Sequence, residues 1–292
     1  MKRGGSNLIL YKEIASSKTP RNDDVNIIIM FNLRKYLKIW WISAINSFQT
    51  QLMVRWALLL FLLAKILRFT IFTIFIIILV GKTSALAGYS LDQTIFFYLS
   101  FNLVDILSQL LFREVYRFRP QVVSGNFDFY LIKPFSPLFR SLASGPDLID
   151  FITLIPLLGA IIYFINKLQI ADPVNILLYI ILIGLGFIIA LSFHILVLAL
   201  AIMTTEIDHA IMVYRDVVAL GRMPIDIYRE PIRGFITFVI PVGIMMSFPA
   251  KSLLGLLSPI FILYSFIFTV VLFVISLKFW QYSLKQYSSA SS

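Results

Sequence analysis

The chain contains no cysteine and only two histidines among its 292 residues. Disulfides, thiolate metal sites and cysteine nucleophiles are thereby excluded. Acids are scarce as well, with 15 Asp and Glu against 25 Lys and Arg, a formal net charge of +10. No His-Glu-x-x-His places paired ligands on one helix face, as an intramembrane metalloprotease would need. No Gly-x-Ser-x-Gly offers a strained serine nucleophile. Gly81-Lys82-Thr83 resembles the end of a phosphate-binding loop, but Ile76 stands where the upstream glycine belongs, so the chain does not bind ATP by itself. The first 29 residues lack the continuous apolar core, about 7–15 residues long, of a secretory signal. Residues 1–30 read as a polar, disordered arm, with Met30 an alternative start to Met1, and 288–292 as a tail.

What the chain has in excess is apolar sequence. Hydrophobic residues make up 59% and the mean hydropathy is +0.89, where soluble domains sit near about 45–50% apolar. Six apolar spans run near 56–80, 93–112, 146–166, 174–203, 234–249 and 257–280, most of them reaching the ~20 residues that cross ~30 Å of hydrocarbon. Cations gather on alternate connections. Arg34, Lys35, Lys38 and Arg55 precede the first span, Arg113, Arg117, Arg119, Lys133 and Arg140 follow the second, and Arg215, Arg222, Arg229 and Arg233 follow the fourth. The remaining connections hold single lysines, Lys82, Lys167 and Lys251. Cationic loops resist translocation, which places both termini in the cytoplasm of a multi-pass protein of the plasma or inner membrane. The net positive charge then fits the anionic lipid headgroups of the cytoplasmic leaflet, with no nucleic-acid partner.

From Phe31 the sequence is amphipathic, with Leu33, Leu37, Trp40, Trp41, Ala44 and Phe48 at helical spacing and Arg34, Lys35 and Lys38 on the other face. A helix of this kind lies in the membrane interface. Lys65 and Arg68 fall inside the first span, where a charge is expensive. In the second span Asp105 and Gln109, four apart, share a face. Asp105 is expected to pair with Lys65 or Arg68, or else to line a path with Gln109. His194 reads as a hydrogen-bonded packing residue, and Glu206, Asp208 and His209 as a solvated cluster, not a metal site.

The second connection, 113–145, is the most distinctive. Gly125-Asn126 forms a turn, Asp128 opens the next helical turn, and Pro134 and Pro137 break the chain before the third span. Phe127, Phe129, Tyr130, Leu131 and Phe135 are expected to present an aromatic ridge to a partner. In the fifth span, Pro241 removes a backbone donor, and Pro249 is expected to end the helix. The segment that follows then dips back into the membrane as an outer re-entrant hairpin.

These residues resemble a family. Ser124-Gly125-x-x-Asp128-x-x-Leu131-x-x-Pro134, the leading amphipathic helix, six spans, and the prolines at 224, 241 and 249 with Ala250 look like the permease subunit of a type-2 ATP-binding-cassette (ABC) exporter. The resemblance covers 31–287 as a single all-α transmembrane domain with a broken fifth helix. It implies a separate ATPase subunit that binds ATP and Mg, while this chain holds no cofactor. It also implies a second permease subunit, the same or a related chain, and a hydrophobic or amphipathic exported cargo. Under it, Arg117, Arg119, Gly125, Asp128, Tyr130 and Pro134 dock the ATPase, and Asp105, Gln109 and Pro241 belong to the path. An ion-coupled carrier would instead need repeats and midplane ligands, and a non-transporting scaffold would need no ATPase.

Overall fold

The computed structural model describes residues 33–204 and 210–287, and these are helical with short connections. The polar arm, the 206–209 cluster and the tail lie outside the described residues.

The amphipathic helix α1, Leu33–Met53, meets α2, Arg55–Thr83, at a break on Val54. Helix α3, Leu91–Phe112, starts on a capping box in which Ser90 and Gln93 satisfy each other's backbone amides. After a single-turn stretch at Arg113–Arg117 come three short helices: α4, Phe118–Val123; α5, Asp128–Leu131; and α6, Pro137–Ala143. Helix α7, Leu148–Lys167, is capped by the Asp147 carboxylate on the Ile149 amide. Helix α8, Pro173–Met203, is capped by Asp172 with Pro173 in its first turn, where the missing amide costs nothing. Then follow α9, Ala210–Val218, the short α10, Ile232–Gly234, and α11, Phe248–Leu253. Helix α12, Pro259–Gln286, closes the chain.

Five of these segments are long and apolar enough to cross a membrane: Arg55–Thr83, Leu91–Val123, Leu148–Lys167, Pro173–Met203 and Pro259–Gln286. The second is the hub, with 78% of its most apolar stretch buried against 11% for the first. α8 packs along α12. The facing stripe of α12 is Ser265, Thr269, Ser276 and Ser283, all at most 1% exposed, and each hydroxyl donates to a carbonyl of its own helix. Small residues whose hydroxyls are internally satisfied let two membrane helices approach closely.

The segment 232–253 bends by 82° between Ile232–Val239 and Gly243–Leu253. Pro241 is buried at that bend. Arg233 at one foot and Lys251 at the other both pair with Asp226, at 3.9 and 2.8 Å, so both feet stand at the same end of the bundle. Tyr89, in the turn after α2, donates to Asp226 at 2.9 Å and marks that end. Burial and the neighbouring carboxylate hold the Tyr89 hydroxyl well above its usual range. A hairpin is thus formed by 232–253 itself, and not, as expected, by the segment that follows Pro249.

The fifth crossing of the bundle differs from expectation. It is made by 210–227, which is not among the segments long and apolar enough to span a membrane and which rises from Tyr214, edge-on to His194 at 5.0 Å, past Arg222, over the Phe72 ring at 6.0 Å, to Asp226. Arg215 and Arg222 thus lie within the bundle and not on a connection, and Arg233 lies at the opposite end from 113–147. The span expected at 234–249 is the hairpin. Pro249, expected to end a helix, sits in the first turn of α11.

Candidate functional site

The connection 113–147 folds as its turn chemistry dictates. Gly125 adopts φ +74°, a left-handed conformation that a side chain would disfavour, and the chain reverses there into α5. Ser136 caps α6 through the Phe139 amide, with Pro137 at the first position. α1 lies along this module. Lys35 donates to the Pro134 carbonyl at 2.8 Å, Tyr36 packs edge-on against Phe139 at 4.8 Å, and Gln51 bonds both Pro146 and Leu148.

The aromatic ridge is divided. Phe127 is fully buried and Tyr130 is 8% exposed, so neither meets solvent as expected. Phe127 packs edge-on against Phe118 at 5.2 Å and Tyr287 at 5.1 Å, with Trp280 of α12 at 6.4 Å. Tyr130 lies under the Arg140 guanidinium at 5.1 Å. The outward positions are Phe129, 59% exposed, and Ile132, 76% exposed, joined by Leu131, Lys133 and Pro134. Of the remaining expected docking residues, Arg117 is exposed and bridges Glu114 at 3.9 Å, while Arg119, Gly125 and Asp128 are half-buried.

Asp128 joins the module to the last helix. Its carboxylate accepts a hydrogen bond from the Tyr287 hydroxyl at 2.9 Å. Burial, then the hydrogen bond to Asp128 and its charge, push the Tyr287 pKa up to about 12. Because the folded value is raised, this bond's contribution is complete below the ordinary tyrosine value of about 10 and is lost as pH rises through about 12. Tyr287→Phe is therefore expected to lower the thermal midpoint at neutral pH by the loss of about 1 kcal/mol. It should also flatten the alkaline fall in stability. Unfolding followed by tryptophan fluorescence at neutral and alkaline pH checks both.

A second feature lies beside the module, between α2, α3 and α7. A cavity of about 600 Å³ is lined by Lys65, Arg68, Asp105, Gln109, Arg113 and Asp150 among others. The expected Lys65–Asp105 pair is replaced by Lys65–Asp150, with side chains 18% and 8% exposed. Asp105 instead begins a ladder on α3. Gln109 donates to Asp105 at 3.1 Å and accepts from Arg113 at 3.2 Å, and Arg113 pairs with Asp147 at 3.3 Å. Arg215 enters from the fifth crossing, over the Tyr116 ring at 5.8 Å. Asp105 and Gln109 therefore line one cavity, whereas Pro241 is not among its lining residues. Asp147 and Asp150 were not singled out in the sequence, and Arg215 was read only as a cation of the fourth connection. Asp147 and Asp150 carried one available signal, two acids flanking the start of an apolar span that faces a lysine-bearing one. His194 is buried and bonds the Ala190 carbonyl at 2.7 Å, as a packing residue does.

Among the described residues no group of three or more His, Asp or Glu is arranged to hold a metal. The cavity wall combines paired and unpaired charges with the Gln109 amide and apolar side chains such as Leu58 and Phe61.

The family model described as ABC-2 family transporter protein matches residues 65–291, more than three quarters of the chain. No curated protein and no solved structure matches. The chain belongs to the ABC-2 transporter family, as a multi-pass membrane component of transport.

Proposed function

We propose that this ABC-2 family chain is the permease subunit of an ATP-driven exporter, powered by a separate ATPase subunit that docks on 113–145. It works beside a second permease subunit, moves a hydrophobic or amphipathic cargo, and keeps both termini in the cytoplasm of the plasma or inner membrane. ATP and Mg belong to the partner ATPase.

The observation that carries this reading is the compact module at 113–147. Phe129 and Ile132 face outward from it while Phe127 and Tyr130 tie it to α4 and α12. A surface-exposed Ile and Phe on a folded, cation-flanked loop suit the apolar centre of a protein interface. A rigid link from that surface to the last crossing suits transmission of a push. Tyr130 then serves docking from beneath, by holding α5 in place.

The test is tagged purification from the native membrane. An ATPase should accompany the wild-type chain and be lost from Phe129→Asp/Ile132→Asp, because two desolvated charges in an apolar contact cost several kcal/mol. The variant should still insert and unfold at the wild-type temperature, since both side chains are exposed. Retention of the ATPase by that variant would refute docking on this face. Recovery of the wild type with no ATPase would refute the permease reading.

A further inference from the structure

The cavity beside α2 is electrically unbalanced. Lys65, Arg68, Arg113, Arg117 and Arg215 line it against Asp105, Asp147 and Asp150, five cations to three carboxylates. Lys65, Arg113 and Arg117 are neutralised by Asp150, Asp147 and Glu114, which leaves Arg68 and Arg215 against the single carboxylate of Asp105. Arg68 and Arg215 form no ion pair among the described residues. Arg68 is exposed and Arg215 half-buried on this wall, and an ionisable side chain on or beside a membrane-spanning helix marks a ligand or ion path by default.

A second cavity of about 310 Å³ continues from the first, and Lys65 and Arg68 line both. Its walls are otherwise nearly all apolar: Phe69, Ile106, Pro156, Leu157 and Ala160, with Asn102 and Thr153 the polar exceptions. Pro156, inside α7, lacks the amide that would close its helical turn and leaves room at this wall. The volume is at the lower end of the range for ligand pockets, ~300–1,000 Å³, so it accommodates one chain and not two. Cationic chamber and apolar slot therefore meet at Lys65 and Arg68, which is the order of a head group and its tail.

We infer that this double cavity binds a single-chain amphiphile with an anionic head, a phosphate or a carboxylate, held by Arg68 and Arg215 while its tail lies against Pro156 and Leu157. Guanidinium groups suit such heads because they offer paired donors in one plane. That the ligand is the transported cargo rests on the permease reading above. The binding itself does not, and it is measured on this chain without an ATPase.

The experiment is equilibrium binding to the purified full chain in neutral-lipid nanodiscs. The probes are dodecyl phosphate, dodecyltrimethylammonium and inorganic phosphate. Dodecyl phosphate is expected to bind at least about tenfold more tightly than either of the others, because head and tail are both needed. Arg68→Gln/Arg215→Gln should lose about tenfold of that affinity, and Arg68→Lys/Arg215→Lys should keep most of it. Equal affinity for the cationic and anionic amphiphiles in the wild type would overturn the inference, whether or not the variants fold. Inorganic phosphate binding as tightly as dodecyl phosphate would overturn the tail slot. Unchanged affinity in the glutamine variant would overturn the assignment to Arg68 and Arg215. Failure here would leave the ATPase-docking reading intact, and loss of the ATPase would leave this site intact.

Discussion

Asp150→Ala is expected to destabilise the chain by about 3–5 kcal/mol, the cost of leaving a buried charge without its partner. Lys65 sits ten residues into a 29-residue apolar helix, and Asp150 opens α7 on the facing wall with its side chain only 8% exposed. Neither charge would be tolerated at this depth alone. Removing the carboxylate strands the ammonium, which must then deprotonate, draw in water or pull α2 away from α7. Lys65→Met/Asp150→Leu should recover much of the loss, because it removes the desolvation cost of both groups while keeping volume. Thermal unfolding in detergent gives the comparison. Similar losses in Asp150→Ala and the double variant would mean that packing, and not charge pairing, holds this wall.

Gly186→Leu should abolish transport and lower stability by several kcal/mol, while Gly184→Leu, two residues earlier on the same helix, should be nearly silent. A Cβ at 186 would stand 2.7 Å from the Met245 carbonyl oxygen, a backbone atom of the hairpin that cannot rotate away. At 184 a Cβ meets nothing within 4 Å. Overpacking a well-fitted interior costs about 1–3 kcal/mol even where side chains can give, and here the obstacle is main chain. The hairpin would have to leave α8, breaking the contact that seats its tip in the bundle. Transport and thermal midpoint measured on both variants separate this from a general intolerance of bulk on α8.

These two sites also show where the sequence was legible. Long apolar runs identified α2, α3, α7, α8 and α12, since the length and hydropathy of a helix are local properties. The 113–147 connection was legible for the same reason, because Gly125, Pro134 and Pro137 each dictate their own turn. The fifth crossing was not. Its segment, 210–227, carries Arg215, Asp216, Arg222 and Asp226 and reads as a connection, while the more apolar hairpin at 232–253 imitates a span. Hydropathy measures transfer to lipid, whereas 210–227 is held partly by protein contacts, with Ile211, Val218, Met223 and Ile225 buried while Met212 and Val213 stay exposed. The Lys65–Asp150 pair depends on which helices touch, which no spacing encodes. In α5 the division of rings was within reach. Phe127 and Tyr130 are three apart on one face and Phe129 and Ile132 three apart on another, so only one pair can face the core.

The absence of cysteine allows the account's central claim to be tested site by site. Single cysteines placed at Ile132, and at Ser84 in the turn at the opposite end, would be exposed to a short thiol-reactive crosslinker in native membranes. Docking of an ATPase on 113–145 predicts a specific adduct between the Ile132→Cys chain and a protein with ATPase activity, and none from Ser84→Cys. No adduct at 132, or the same adduct from both positions, would contradict it.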